Sequence, residues 1–381
     1  MKTTGAPRPT ATVPPQFGLI NLLKAGAAQL IVLHHLAFYG PMADVARPLM
    51  PGTVDWLDAY GRVAVQVFLV IGGFLAAKSL SPHGLPGIAQ PFATIWRRYL
   101  KLAPAFIVAM LLAIGASALA RTWMDHDSIS APAGVAQLMA HVLLLHDVLG
   151  YEALSAGAWY VAIDFQLYAS LTLLLWVSGW LAGGRRVPWL MPVLVLAATG
   201  VSLFHFNRDA DWDVWAPYFF GSYGLGVLAW WASDPRRGTA STSALWLLMV
   251  VPTLLALELD FRIRIAVAAV VMCVLFLFGR TRLSACASRG WSLVNYLGKI
   301  SYSIFLVHFP VCLVVNAAFT RFAPEEAHWQ LAGVVAAWMT SVAAGAAFCR
   351  WVEAPLGRIL AALVKPAVLP AYSTKAARVL R

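Results

Sequence analysis

The first apolar block of the chain carries a lysine and a histidine, Lys24 and His35, which are eleven residues apart. At about 100° per residue this spacing returns to within about 20° of the same helical face, about 16 Å further along the helix. An imidazole titrates near neutral pH, so a histidine held there can act as a general base towards a hydroxyl. The alternative is a core histidine bonded to a neighbouring helix and a lysine that snorkels to an interface.

A dense basic cluster, Arg97, Arg98 and Lys101, opens the third apolar block. Arg98 and Lys101 share a helical face because they are three residues apart. Guanidinium and ammonium groups held in this way suit the phosphates of a nucleotide-like donor. The alternative is the ordinary positive charge found at the cytoplasmic boundary of a membrane helix.

The fourth apolar block opens with Trp159 and continues through Asp164, Gln166 and Tyr168. Asp164 is the only acid that the hydropathy pattern places at lipid depth, where charged groups are rare and usually functional. With its polar neighbours it can bind hydroxyls of a substrate or orient an imidazole. A structural hydrogen-bond hub is the alternative.

A later block combines Tyr302 and His308 with two serines, Ser301 and Ser303. A tyrosine and a histidine within an apolar helix are candidates for substrate binding. Small polar residues of this kind also hold membrane helices together, which is the structural alternative.

The elements that must position these residues are apolar helices. The 381 residues are 60% hydrophobic and 12% charged, with a mean hydropathy of +0.73, which is too apolar for an ordinary soluble protein. The charges fall between apolar blocks of roughly 17 to 25 residues, the length that crosses a bilayer. We predict an all-α membrane protein, a polytopic bundle of about ten transmembrane helices at residues 17–39, 61–77, 99–120, 157–181, 188–204, 214–232, 242–259, 264–279, 300–320 and 329–349.

The basic residues are separated by side rather than gathered in one patch, which argues against nucleic acid as a partner despite a net charge of +11. With ten spans, 21 of the 28 Lys and Arg residues fall on the side of both termini. The other side takes 14 of the 17 acids. The positive-inside rule therefore places both termini in the cytoplasm.

Residues 132–149 are long enough to span but carry His141, His146 and Asp147. A crossing there would move Arg185 and Arg186 to the outer side, against the charge bias of the other loops. We therefore predict a re-entrant or interfacial segment on the outer side, with protein or water around its backbone.

One membrane domain, residues 17–353, accounts for most of the chain. We expect a cytoplasmic tail at 1–16 and a basic cytoplasmic tail at 354–381. The first apolar block lacks a small-residue cleavage site, so a cleaved signal peptide is not expected. The cysteines and histidines lack the spacing of a disulfide framework or of a metal site, and no metal is predicted.

The segments together resemble the acyltransferase family 3 membrane proteins, which O-acylate glycans and other hydroxylated acceptors in bacteria. The resemblance spans nearly the whole chain, and it rests on the order and spacing of its motifs. These are Lys24 with His35, the stretch 67–75, Arg98 and Lys101 before Pro104, the stretch 159–168, the stretch 301–308, and Glu353-Ala354-Pro355.

Four positions depart from the family pattern. The family usually has arginine at Lys24 and Lys101, serine at Gly72 and glutamate at Asp164. Lysine cannot make the bidentate phosphate contact of arginine, so donor binding is where these departures are expected to act.

The resemblance implies a bacterial inner-membrane enzyme that transfers an acyl group, foremost acetyl, from acyl-CoA to a hydroxyl of an envelope glycan or related acceptor. No permanently bound cofactor is expected, since acyl-CoA is a co-substrate; the other partners are the lipid bilayer and the acceptor. A transient acyl-histidine is the competing chemistry, and a transporter or exporter with an intramembrane proton or substrate path is the alternative function. The implied roles are catalysis by His35 and Asp164, donor binding by Lys24, Arg97, Arg98 and Lys101, and acceptor binding by Trp159, Gln166, Tyr168, Tyr302 and His308.

Overall fold

The computed structural model describes residues 18–280 and 289–363, which form a bundle of helices without a strand. The expected tail at 1–16, Cys286 and the tail beyond residue 363 lie outside the described residues. The α-helices are α1 Gly18–Tyr39, α2 Pro41–Ala46, α3 Pro51–Tyr60, α4 Val65–Leu80, α5 Pro91–Ala120, α6 Val135–Val142, α7 Ala158–Ala182, α8 Leu190–Phe204, α9 Ala216–Ala232, α10 Thr239–Leu259, α11 Ile263–Phe278, α12 Arg289–Phe322, α13 Ala327–Phe348 and α14 Ala354–Leu363.

Each of the ten predicted spans coincides with one long helix, namely α1, α4, α5 and α7 to α13. Within the described ranges, eight helical stretches are long and apolar enough to cross a membrane. The other two, α9 and α11, have 17 and 16 residues. The predicted all-α polytopic membrane fold is confirmed.

The helix α9 lies at the centre of the bundle. All of its residues except Pro217 are buried. The helix contains Gly221 and Gly224, which make room for side chains of α8, and Gly226, which lets the backbone of α4 approach closely, as small residues do in membrane helix packing. The neighbouring helices of the bundle therefore pack around α9.

Helices α4 and α9 run in the same direction. Ser222 Oγ donates a hydrogen bond to Gln66 Oε1 (2.6 Å), and one turn further on a Cβ added to Gly226 would lie 1.9 Å from the carbonyl oxygen of Val70. Three crossings, α5, α7 and α8, lie between them, which preserves the direction. A further crossing at 132–149 would reverse it, so this parallel contact fixes the number of crossings.

Helices α1 and α12 are also parallel. Asn21 donates to Asn295 Oδ1 near the start of α1, and the next pair along both helices is His35 with His308. We call the end of the bundle where α1 begins the basic end, and the end where α1 finishes the acidic end. These names follow the distribution of charge in the sequence.

The segment 132–149 enters the bundle from the acidic end and returns. Its helix α6 has eight residues, about 12 Å of length, which is too short to cross a bilayer. Leu144 then turns the chain with a φ of 58°, a conformation that is uncommon for residues other than glycine. Tyr99 Oη donates to the carbonyl of Val142 (2.8 Å), which ties the segment to α5. The prediction that these residues do not span is confirmed.

Candidate active site

A pair of buried histidines joins α1 to α12. His35 Nδ1 lies 2.6 Å from His308 Nε2, and the two side chains are 8% and 0% exposed. The ring centroids are 4.9 Å apart and the rings are 12° from coplanar. Since this separation is close to the nitrogen–nitrogen distance plus the two ring radii, the rings meet edge to edge through an in-plane hydrogen bond.

Backbone carbonyls fix the direction of that hydrogen bond. His308 Nδ1 lies 2.8 Å from the carbonyl oxygen of Phe305 and 3.2 Å from that of Ile304, and a carbonyl can only accept. The proton of neutral His308 is therefore on Nδ1, and its Nε2 accepts from His35 Nδ1. The proton of neutral His35 is then on Nδ1, so its Nε2 carries the lone pair. Among the described residues this Nε2 has no hydrogen-bond partner.

The neighbouring histidine faces a different element. His34 Nδ1 donates to the carbonyl of Leu57 in α3 (2.8 Å), and the Cβ of His34 packs on Gly61. His34 therefore packs against α3, whereas His35, one residue further along the helix, faces the bundle interior.

An arginine and an aspartate form the second polar centre. Arg98 in α5 is hydrogen-bonded and ion-paired to Asp164 in α7, and its guanidinium lies 5.0 Å from the centre of the Tyr168 ring. Arg98 Nε is buried without a partner among the described residues. The pair is thus mostly neutralised, with one donor of the guanidinium still unsatisfied.

Further charged residues surround this pair. Lys24 is within electrostatic range of Lys101 and Glu353, and Lys101 is also within range of Arg98 and Asp164. The side chain of Lys101 is exposed. The predicted donor-binding residues Lys24, Arg98 and Lys101 therefore lie in one neighbourhood, with two acids among them.

Glu353 reaches this neighbourhood from the far end of α13. Residues Cys349–Glu353 form a π-helical turn, a wider turn that often occurs at functional sites. The turn places the carboxylate of Glu353 to accept a hydrogen bond from Ser303 Oγ in α12. Close by, Tyr302 Oη donates to the carbonyl of Leu102 in α5 (3.1 Å).

The two centres lie along the same helix. Tyr302 is next to the charged neighbourhood and His308 is in the histidine pair, and six residues of α12 separate them by about 9 Å. A ligand that is anchored by its phosphates among the cations can therefore extend another part towards His35.

The remaining predicted site residues are dispersed. Arg97 donates to Thr94 Oγ1 on its own helix, 3.2 Å away. Trp159 packs on Phe219 of α9, with ring centroids 5.5 Å apart. The amide of Gln166 makes no hydrogen bond with any described residue. The structure thus leaves Trp159 and Gln166 outside the two centres, whereas Arg97 is within electrostatic range of Tyr168 at the second centre.

Two residues at the second centre, Glu353 and Tyr223, were not among the predicted site residues. Glu353 had a signal only in the Glu-Ala-Pro motif, whereas Tyr223 in α9 had none. A Cβ added to Gly72 would lie 3.3 Å from Asp164 Oδ1 and 3.3 Å from the ring of Tyr223. Two of the departures noted in the sequence, at Gly72 and Asp164, therefore face each other. No group of three or more His, Cys, Asp or Glu among the described residues is arranged to hold a metal ion.

Comparison with known families decides the class of protein. The profile of the acyltransferase domain family, acyltransferase 3, matches residues 18–349, which is nearly the whole chain. The chain belongs to this family. This acyltransferase is therefore a membrane enzyme, and the resemblance described from its motifs is confirmed. The assignment excludes the transporter as the better description of its function.

One curated relative is a regulator of hypoxia-inducible factor 1 from Caenorhabditis elegans, which is 28% identical over 165 residues. The match covers 39% of this acyltransferase and 32% of that relative, so the chain corresponds to about a third of the relative's length. No solved structure gives a significant match.

Proposed function

We propose that this enzyme transfers an acyl group, foremost acetyl, from acyl-CoA to a hydroxyl of an envelope glycan or a related acceptor. The observation that carries the proposal is the orientation of His35, whose Nδ1 is held by His308 so that Nε2 is free to accept a proton. Tyr302, which contacts α5 beside Lys101, is about 9 Å from His308 along α12, on the side of the basic end.

The reaction then needs one base. Nε2 of His35 removes the proton from the acceptor hydroxyl while the oxygen attacks the thioester carbon. The carbon–sulfur bond breaks, and the proton passes from His35 to the departing thiolate, which gives free CoA and the O-acylated acceptor. A positioned general base of this kind typically contributes about 10² to 10⁴ in rate.

His308 holds the ring of His35 in the orientation that this step needs. Its Nδ1 is held by two carbonyls, so it offers Nε2 to His35 and shares the positive charge that His35 acquires. We assign His308 to orientation of the base in place of acceptor binding. Asp164 takes no part in that hydrogen bond, because its carboxylate is engaged with Arg98.

The donor enters at the basic end. Lys101 is exposed and unpaired among the described residues, whereas Arg98 is committed to Asp164. Lys101 and Lys24 therefore supply the first contacts to the phosphates of acyl-CoA, and Arg98 sets the position of Asp164. We place the basic end in the cytoplasm, where acyl-CoA is made, and the enzyme in the bacterial inner membrane.

A covalent route uses the same nitrogen. Nε2 of His35 can attack the thioester itself, release CoA and hold the acyl group as an acyl-imidazole until the acceptor hydroxyl takes it. The two routes differ in one observable. Protein incubated with acetyl-labelled acetyl-CoA without acceptor, then denatured at neutral pH and analysed at once, carries label on His35 only in the covalent route.

The test of the proposal uses the full chain purified in detergent with acetyl-labelled acetyl-CoA. We expect His35→Ala to reduce turnover of the donor by at least about 10²-fold, the lower range of a general base. His34→Ala is the matched control, since its ring is bonded to Leu57 outside the pair, and it should keep most of the activity. Both variants should be recovered in similar amounts. Turnover by His35→Ala equal to that of the parent contradicts the proposal.

A further inference from the structure

The re-entrant segment holds a second pair of stacked histidines. The rings of His141 and His146 are 3.9 Å apart and 11° from parallel, and Phe106 of α5 lies 6.4 Å from each. Phe106 is eight residues beyond Arg98, about 12 Å along α5 towards the acidic end. The pair lies further towards the acidic end than Arg98, although the adjoining Val142 is bonded to Tyr99, which is next to Arg98.

Both ring nitrogens of one of these histidines, His141, are hydrogen-bonded to the backbone. His141 Nδ1 donates to the carbonyl of Gln137 (2.8 Å), and its Nε2 accepts from the backbone N–H of Leu154 (3.1 Å). Both contacts hold the segment in its turn. The role of His141 is accordingly structural.

The other histidine, His146, has no such hydrogen bonds. His146 is 0% exposed, yet neither of its ring nitrogens has a hydrogen-bond partner among the described residues. Oδ2 of Asp147 is also buried without a hydrogen bond, although it lies 3.3 Å from His146 Nε2. Buried polar atoms are almost always paired, so three unpaired atoms side by side indicate a site that is completed by another molecule.

Charge and geometry select the kind of molecule. A hydroxyl both donates and accepts, so adjacent hydroxyls can donate to Asp147 and to the basic nitrogen of His146 and accept from its N–H. Asp213, in the segment between α8 and α9, lies within electrostatic range of Asp147, and two acids disfavour an anion. A metal ion lacks a third suitable ligand among the described residues.

We propose that His146 and Asp147, on the segment that enters the bundle from the acidic end, form an acceptor subsite that binds adjacent hydroxyls of a sugar or another neutral polyol. This inference rests on the acyltransferase function proposed above, and it adds where and how the acceptor is held. The subsite lies on the re-entrant segment, which enters from the end opposite to the proposed donor entry.

The subsite predicts a pH dependence of acceptor binding. Burial, together with Asp213, raises the pKa of Asp147 to about 6, while burial lowers the pKa of both His141 and His146. The Asp147 carboxylate, which accepts hydrogen bonds from the hydroxyls, is thus ionised at pH 7.5. It becomes protonated as the pH falls through about 6. The neighbouring side chain from α5, Phe106, does not titrate.

The experiment compares the purified parent with Asp147→Asn and with Asp125→Asn, an exposed acid at the same end as the matched control. The probes are four methyl glycosides, of glucose, galactose, mannose and rhamnose. Binding is measured by saturation-transfer NMR without donor, and transfer is measured with labelled acetyl-CoA. We expect at least one glycoside to bind the parent, and we expect Asp147→Asn to raise its KM about tenfold, which corresponds to about 1.4 kcal/mol.

In Asp147→Asn, the KM for acetyl-CoA and the rate of acetyl-CoA hydrolysis without acceptor should stay within about twofold of the parent values. The acceptor KM of the parent should rise below pH 6, and this rise should be absent in Asp147→Asn. If that variant fails to fold, His146→Phe keeps the stacked ring and removes both nitrogens, and the same rise is expected. An unchanged acceptor KM, or no binding of any glycoside to the parent, overturns the subsite. A parent that binds a glycoside but does not turn over acetyl-CoA contradicts the proposed function instead.

Discussion

At the scale of single residues, two of the cations in the donor neighbourhood differ in whether they are paired. Arg98 is bound to Asp164, whereas the side chain of Lys101 reaches solvent. The sequence analysis assigned donor binding to both positions. The structure separates the two positions, because only one of them is part of the protein's own packing.

We expect Lys101→Glu to raise the KM for acyl-CoA by about tenfold or more, since it removes one phosphate contact and adds repulsion. The KM for the acceptor and the amount of protein should hardly change. Steady-state kinetics with both substrates varied provides the measurement. A rise confined to the acceptor KM would exclude Lys101 from donor binding.

Arg98→Glu should mainly lower the stability of the folded protein. It places a carboxylate against Asp164 in a buried position, and the loss of one partner of a buried pair costs about 3–5 kcal/mol. The expected result is a lower yield of folded protein in fluorescence-detected size exclusion. Arg98→Glu combined with Asp164→Arg, which restores opposite charges, should recover part of that yield.

The role of His308 is tested by comparing two replacements. His308→Gln keeps a side-chain oxygen that can accept from His35 Nδ1, whereas His308→Ala removes the acceptor. We expect Ala to lower kcat by at least tenfold more than Gln does, with the KM for acyl-CoA similar in both. Equal kcat values, or an effect on the acceptor KM alone, would favour acceptor binding over orientation of His35.

At the scale of helices, glycines determine how closely α4 and α9 approach. A Cβ on Gly73 would lie 1.9 Å from the carbonyl oxygen of Tyr223, which is closer than any real contact. Gly73→Ala should therefore destabilise the fold by more than about 1–3 kcal/mol, the usual cost of overpacking.

The matched control for that variant is Gly26→Ala in α1, where a new Cβ meets nothing within 4 Å. Alanine is favoured over glycine inside a helix by about 0.5–1 kcal/mol, so this variant should be neutral or slightly stabilising. Thermal unfolding of the purified proteins in detergent provides the measurement. Similar midpoints for both variants would mean that α4 and α9 are not in close contact.

At the scale of the whole molecule, the number and direction of the crossings decide which residues face which compartment. The parallel contacts of α4 with α9 and of α1 with α12 fix the relative direction of the helices. The compartment at each end is a prediction from charge alone. A reporter fused after Arg186 should behave as cytoplasmic, and one fused at Asp209 as periplasmic. The reverse pattern would mean that the basic end faces outward.

The sequence by itself determined the features that depend on one helix at a time. Hydropathy located all ten long helices, and charge bias excluded a crossing at 132–149. These predictions succeed because the rise and rotation per residue of a helix are fixed, and because a bilayer sets the length of each apolar block.

Only the tertiary structure decided which residues meet across helices. His308 lies beside His35 although 273 positions separate them, and Arg98 is paired with Asp164 across 66. The same holds for Glu353, which a π-helical turn brings to Ser303, and for the unpaired His146 on the re-entrant segment. The physical reason is that contacts between helices depend on the rotation and depth of each one, and these are set by close packing at residues such as Gly73 and Gly226, which carry no chemical signature.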